Sequence, residues 1–338
     1  MCSDFSELKT GYLDWLQYNK GRSPDTARKY GGYLDRLEKF LDESSLSLDD
    51  VSLSLLEKFT GTEAHNAGLH QNSRRPMVAA VTGFFDWLLK QGFLTNNPAE
   101  NLPYPKKVKR LPVPIELKNA EKIIMQCDLK TFKGVRDAAM LSILYGCGVR
   151  VSGLCNLNQS HLSFVMHNGV EWLIIKVTEK GSKERLIPAP HETKLYVRAY
   201  LGHDELDSIN RSLPNGDQVL FVSLRNRNIP ECDYYGEARR IAPRSVNDMI
   251  ELYGERAGVP RNQAHPHAAR HLYATELVED DVHQLRVQSL LGHEDANSTK
   301  IYARLATRKL MDEVNRANPL GKMNIHMTGL VKNITKPA

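Results

Sequence analysis

The sequence predicts a two-domain chain, an all-α bundle followed by a larger, mainly α domain that carries a small antiparallel β-sheet. Three observations lead there. Across the first hundred residues apolar side chains recur every three or four positions, the spacing of a helix face. A basic, proline-rich stretch then interrupts the pattern between 103 and 114. Beyond it, helical patterning surrounds two β-rich runs, 171–177 and 184–188, joined by a turn bearing lysine and glycine.

In the bundle, Phe5, Leu8, Tyr12, Trp15 and Leu16 share a helical spacing. Ser23-Pro24-Asp25 is a helix start, with Ser23 as N-cap and Pro24 in the first turn, and Ala27, Tyr30, Leu34, Leu37 and Leu41 form the stripe that follows. A third helix is expected over 49–59. A fourth is expected over 72–90, ending at Gly92 and burying Val78, Val81, Phe85 and Leu88 or Leu89. Arg22, Arg28, Lys29, Arg74 and Arg75 are the bundle's candidate nucleic-acid contacts. Taken from this segment alone, they describe an ordinary solvated face.

Pro103, Pro105, Pro112 and Pro114 hold the next stretch extended, with Lys106, Lys107, Lys109 and Arg110 in its middle. It is either a solvated hinge or a linker that meets phosphates. The expected boundaries are 1–103 for the bundle, 104–114 for the linker, 115–317 for the second domain and 318–338 for a polar tail. With 338 residues, 41% of them hydrophobic, the chain can fill two cores. No apolar run reaches the roughly 18 residues of a membrane helix, and MCSDFSELKT is not a signal peptide. Five cysteines without C-x-x-C spacing point to a reducing compartment, so a cytoplasmic protein is expected. The net charge of +5 permits nucleic-acid binding.

The second domain opens with helices over 117–127 and 135–145. The latter ends at Gly146-Cys147-Gly148, a turn that presents Arg150. An arginine there could simply cap the helix. The β-rich runs make a hairpin with Glu179-Lys180-Gly181-Ser182-Lys183 at its tip, where lysines commonly serve only solubility. Val219–Val222 is expected as a third strand, 226–240 has no clear pattern, and 244–258 reads as a helix beginning at Arg244.

From Ala264 to Leu305 the polar residues change character. On a helix starting near His267, His267 and Arg270 share one face, while His271 lies one step round. A second helix runs through Val287 to Leu291, and Gly292-His293 ends it. Tyr302 follows on a short element of its own. A guanidinium and imidazoles can hold the non-bridging oxygens of a phosphodiester and stabilise charge developing there, which leaves the phenol as nucleophile. Ionising a phenol near pH 7 costs roughly 4 kcal/mol, which neighbouring cations offset. Singly, each of these residues is more simply a surface or core residue. A zinc site made of His265, His267 and His271 is a weaker alternative, with no cysteine nearby.

Pro266-His267-x-x-Arg270-His271, Leu290-Leu291-Gly292-His293 and Ser298-Thr299 with Ile301-Tyr302 together resemble the C-terminal signature of tyrosine recombinases, the family of phage-type integrases and Xer proteins. Leu144 to Leu154 is similar to that family's Leu-Tyr-x-x-Gly-x-Arg-x-Ser-Glu-Leu motif, which makes Arg150 the first catalytic arginine. The family's Lys-Gly-x-Lys-x-Arg hairpin pattern makes Lys180 the proton donor to the departing 5′ oxygen and Lys183 a phosphate contact. The resemblance implies an all-α core-binding bundle and an α+β catalytic domain that clamp duplex DNA. It further implies a metal-independent site-specific recombinase needing no cofactor. Tyr302 would be the nucleophile, Arg150, Arg270 and His293 the transition-state stabilisers, and His267 an aid to proton transfer. The implied partners are double-stranded DNA with paired inverted half-sites and a homotetramer on it that passes through a Holliday junction. An accessory or directionality protein could join them, and the expected location is the nucleoid. The helix beyond Tyr302, with its Leu310, Met311 and Val314 patch, would dock into the next protomer. Two departures stand out: Gly153 replaces the family's usual carboxylate, and Ala269 its usual leucine. A type IB topoisomerase-like relaxing activity and a DNA-binding regulator with a weakened site are the alternatives.

If the linker meets phosphates, neutralising Lys106, Lys107, Lys109 and Arg110 together weakens binding to all DNA sequences alike. The salt dependence should flatten by about 0.9 per lost contact. Gel-shift titration over a salt series measures this, and an unchanged slope makes the stretch a plain tether.

Overall fold

The computed structural model describes residues 4–106, 115–179, 183–226, 229–280, 282–291, 311 and 313–323. The chain divides into two units between Leu111 and Pro112. In the first, α1 (Phe5–Asp14) continues as a π-turn to Asn19, then come α2 (Pro24–Glu43), α3 (Leu53–Lys58), α4 (Ala64–Asn66) and α5 (Gln71–Lys90). Ser23 caps α2 by accepting from the Thr26 N–H at 3.3 Å, with Pro24 in the first turn. The expected third helix is broken. Ser47 and Asp50 close a capping box around a 3-10 turn, Val51 is extended, and Ser52 starts α3 by accepting from the Leu55 N–H. Two serine caps so close together begin two helices rather than one. Tyr12, Leu34, Leu37, Phe84, Phe85 and Leu88 fill the core. Gly83 is what lets α1 and α5 approach, since a Cβ there would sit 2.4 Å from the Tyr12 Oη.

The second unit runs α6 (Leu117–Ile124), α7 (Phe132–Cys147), α8 (Val151–Cys155), β1 (Leu162–His167), β2 (Val170–Glu179), β3 (Lys183–Ala189), α9 (His191–Leu201), α10 (Asp204–Asp207), α11 (Pro243–Arg256), α12 (Pro266–Glu279) and α13 (Gln284–Leu291). Residues 313–317 are helical, and Pro319–Lys322 adds one more turn. Apart from Lys133, every residue of α7 is buried, so this helix is the spine of the unit. Its polar pair is fully satisfied. Asp137, with 0% exposure, accepts from Arg136, from Lys133 Nζ at 2.8 Å and from Tyr253 Oη on α11 at 2.7 Å. Arg136 also donates to the Val222 carbonyl at 2.8 Å.

The sheet has the order β1-β2-β3, antiparallel throughout. Its third strand is therefore β1, and Val219–Val222 is not a strand. That segment is buried, but its backbone groups are taken one at a time by surrounding segments. The Val219 N–H bonds Arg211 O, the Leu220 N–H bonds Leu157 O, and Tyr200 Oη donates to the Leu220 carbonyl. The β1–β2 turn is Asn168-Gly169, both with positive φ, the pairing favoured in two-residue hairpins.

The expected tail also differs. Asn318 caps the Pro319–Lys322 turn by accepting from the Gly321 N–H at 2.7 Å, and Leu320 and Met323 join the core of the unit. Asn-Pro starts a helical turn here for the reason Ser23-Pro24 does. The patch expected to dock into a neighbour is covered by its own domain. Met311 packs with Trp172 and Ile174 on the sheet, and Val314 and Ala317 pack with Tyr273, Leu277, Leu290 and Leu291. Leu310 lies outside the described residues. So short a helix needs a surface, and α12 and α13 supply one.

Removing the Asp137 carboxylate would strand a buried guanidinium. Asp137→Ala should cost about 3–5 kcal/mol in urea unfolding of the second unit, whereas Asp25→Ala, at an exposed pair on α2, should cost the first unit at most about 1 kcal/mol.

Candidate active site

Three of the six expected catalytic residues, Arg150, His267 and Arg270, lie within the described residues. Lys180, His293 and Tyr302 fall outside them. Arg150 stands at the N-cap position of α8, immediately after the turn that closes α7. That turn depends on Gly148, which is left-handed (φ 59°), and a Cβ there would meet the Tyr273 ring at 2.3 Å. Gly153 is buried in α8, and a Cβ at that position would meet Val149 Cγ1 at 3.2 Å.

On α12, His265 is the cap. Its Nδ1 accepts from the Ala268 N–H at 3.1 Å, and its Nε2 lies 3.0 Å from the Asn262 carbonyl. Both ring nitrogens are thus engaged locally. Among the described residues no group of three or more His, Cys, Asp or Glu side chains is placed to hold a metal.

Arg270 is 7% exposed and spends its guanidinium on backbone. Nη1 donates to the Gly148 carbonyl at 2.7 Å, and Nη2 donates to the Leu291 carbonyl. One side chain thereby joins the turn before Arg150 to the end of α13, two residues before His293. Burial, and then the charges of Arg150 and Arg185, push the Arg270 pKa down to about 9. Arg185 on β3 donates to the neighbouring Leu290 carbonyl, and burial with Arg150 pushes its pKa down to about 10. Arg185 closes the Lys-Gly-x-Lys-x-Arg pattern, which assigns it no role of its own. Strand alternation was the available signal, because it puts Arg185 on the face of Ile187.

His267 opens to solvent on one side. Partial desolvation, followed by the positive charge of His265, His271, Arg270 and Arg150, lowers its pKa. At neutral pH it is an uncharged imidazole able to take a proton. Tyr273 is wholly buried, its phenol has no hydrogen-bond partner among the described residues, and burial pushes its pKa up. It is no candidate nucleophile.

The phage integrase family profile matches residues 115–309, and the phage integrase N-terminal SAM-like domain matches 10–92. The chain is 30% identical to the tyrosine recombinase XerC of Shigella flexneri serotype 5b over 312 residues, 92% of this chain and 96% of the relative. The chain belongs to the phage integrase family of tyrosine recombinases. It is a site-specific DNA recombinase, and neither the topoisomerase nor the regulator reading is favoured. Among solved structures it is similar in fold to the XerH recombinase bound to palindromic difH substrate after cleavage (TM-score 0.64, 18% identity, 91% of this chain and 83% of that one). It is also similar to the lambda integrase tetramer bound to a Holliday junction (TM-score 0.59, 16% identity, 88% and 80%).

The other expected contacts of the recombinase are scattered. Arg28 and Lys29 pair with Asp25, and Arg244 pairs with Asp248 at 2.8 Å. Arg74 donates to Gly61 O at 3.1 Å, while Arg75 donates to Pro105 O and lies over the Tyr104 ring. Arg22 and Lys106 are exposed. The Lys183 side chain, Lys107, Lys109 and Arg110 are outside what is described. No described helix is long and apolar enough to cross a membrane.

Because the His267 and His271 pKa values are lowered on folding, the unfolded chain binds more protons than the native one. Stability is then full above the ordinary imidazole value, near 6.5, and declines as the pH falls toward the folded values. Thermal unfolding between pH 7.5 and 5 should show this decline, and His267→Gln should make it shallower.

Proposed function

We propose that the recombinase cuts duplex DNA by attack of the Tyr302 oxygen on a backbone phosphorus. The products are a 3′-phosphotyrosine and a 5′ hydroxyl. Arg150, Arg270 and His293 bind the non-bridging oxygens as charge grows on them, and His267 takes part in proton transfer. Lys180 gives a proton to the departing 5′ oxygen. The phosphotyrosine retains the energy of the phosphodiester, so attack by a 5′ hydroxyl from another strand rejoins the DNA without ATP. Four protomers on two paired sites with inverted half-sites then exchange strands through a Holliday junction. Arg22, Arg28, Lys29, Arg74, Arg75, Arg244, Lys183 and the linker cations are the proposed backbone contacts, and an accessory protein and a nucleoid location fit the same reading.

The observation that carries it is the company Arg270 keeps. A buried guanidinium lies within electrostatic reach of two more, Arg150 and Arg185, and each like charge raises the cost of the others. A phosphodiester anion relieves that repulsion, and the relief increases as the transition state gains charge. The DNA complexes of XerH and lambda integrase support the choice of ligand.

Tyr302→Phe should bind DNA normally yet form no SDS-resistant adduct on a nicked suicide substrate, whereas the unaltered protein forms it even in excess EDTA. An adduct in the phenylalanine variant moves the nucleophile elsewhere; loss of the adduct in EDTA shows that metal is required.

A further inference from the structure

Arg185 stands on a face of the sheet made for apolar side chains. Its cross-strand partner Val177 and the next residue on its own face, Ile187, are both fully buried, while Leu186 points out at 52% exposure. An aliphatic residue would fill this position without the desolvation cost of a guanidinium. The arginine instead reaches from β3 to the C-terminal end of α13 and donates to the Leu290 carbonyl. Carbonyls at a helix end lack an intrahelical partner and carry the negative end of the helix dipole, so a cation bonded there fixes both partners. Leu290 is three residues before His293, and Arg185 is five residues after Lys180 along the hairpin.

We propose that Arg185 is a positioning residue for strand cleavage, fastening the lysine hairpin to the end of α13 so that Lys180 is held at the leaving oxygen. The proposal rests on the assignment of Lys180 made above. Arg185 itself transfers no proton. It sets the frame from which Lys180 delivers one to the 5′ oxygen as the phosphorus–oxygen bond breaks.

The test is single-turnover cleavage of nicked suicide DNA carrying either the ordinary 5′-bridging oxygen or a 5′-bridging sulfur, which leaves without a proton. Arg185→Met should keep half-site binding and cut the oxygen substrate ten-fold or more slowly, with most of the rate restored on sulfur. Arg185→Lys, which can still donate one bond to Leu290 O, should fall between. In a Lys180→Ala background Arg185→Met should add little further loss. Equal slowing on both substrates, or losses that multiply in the double variant, would overturn the proposal. Should Arg185→Met fail to fold, Arg185→Lys on the same two substrates gives the answer by the same criterion. If Lys180→Ala alone cuts at the normal rate, the lysine assignment fails and takes this proposal with it. If Lys180→Ala is slow and rescued by sulfur while the Arg185 variants are not rescued, only the role of Arg185 falls.

Discussion

Arg270 donates to two carbonyls that lie far apart in sequence, Gly148 and Leu291, and the rest of the catalytic unit is arranged to permit those two bonds. A guanidinium is well suited to this because its fork is planar and permanently charged, and it offers five donors. Two of them can hold backbone while others stay available to a ligand. An ammonium could not hold that planar geometry, and an aliphatic side chain would leave the Gly148 and Leu291 carbonyls without these donors.

Those bonds require rigid carriers. Gly148 is held because α7 is packed on every side and because the Tyr273 ring lies against the glycine where any side chain would collide. The Arg136–Asp137–Tyr253 network ties α7 to α11 and to the buried 219–222 segment, so the spine cannot rotate without breaking bonds to both. Closing a site on such a core keeps the ordering cost out of the binding step.

Much of this was legible in the sequence, for identifiable reasons. Caps such as Ser23-Pro24 and the long stripe of α2 act locally, so they fold as written. The family resemblance was legible because each motif lies within one turn or one helix. What failed to show was set by distant partners. Val219–Val222 has strand composition, yet its hydrogen bonds go to Arg211, Leu157 and Tyr200, which no local pattern reveals. Strand β1 was missed although Asn168-Gly169 announces its turn, because Val165 and Met166 follow one another with no polar residue between them. The placing of Arg185 opposite Val177 follows from the sheet's register, which the residues around it do not announce.

The covering of residues 311–317 by their own domain bears on how a tetramer could form. Val314 and Ala317 share a cluster with Tyr273, Leu277, Leu290 and Leu291, and Glu313 pairs with Arg286 on α13. The surface that receives this segment is thus built by α12 and α13, the helices that carry Arg270 and the Leu291 carbonyl. If a neighbouring copy supplied the same segment, every one of these contacts would be reproduced, since identical elements would exchange between identical sites. The exchange would lose little native contact, and its free energy would rest on the connecting residues and on the new contacts between protomers. A cis arrangement in the single chain is therefore what a ring of exchanging protomers would start from. Residues 313–317, Arg270 and the Leu291 carbonyl depend on one another through α12 and α13.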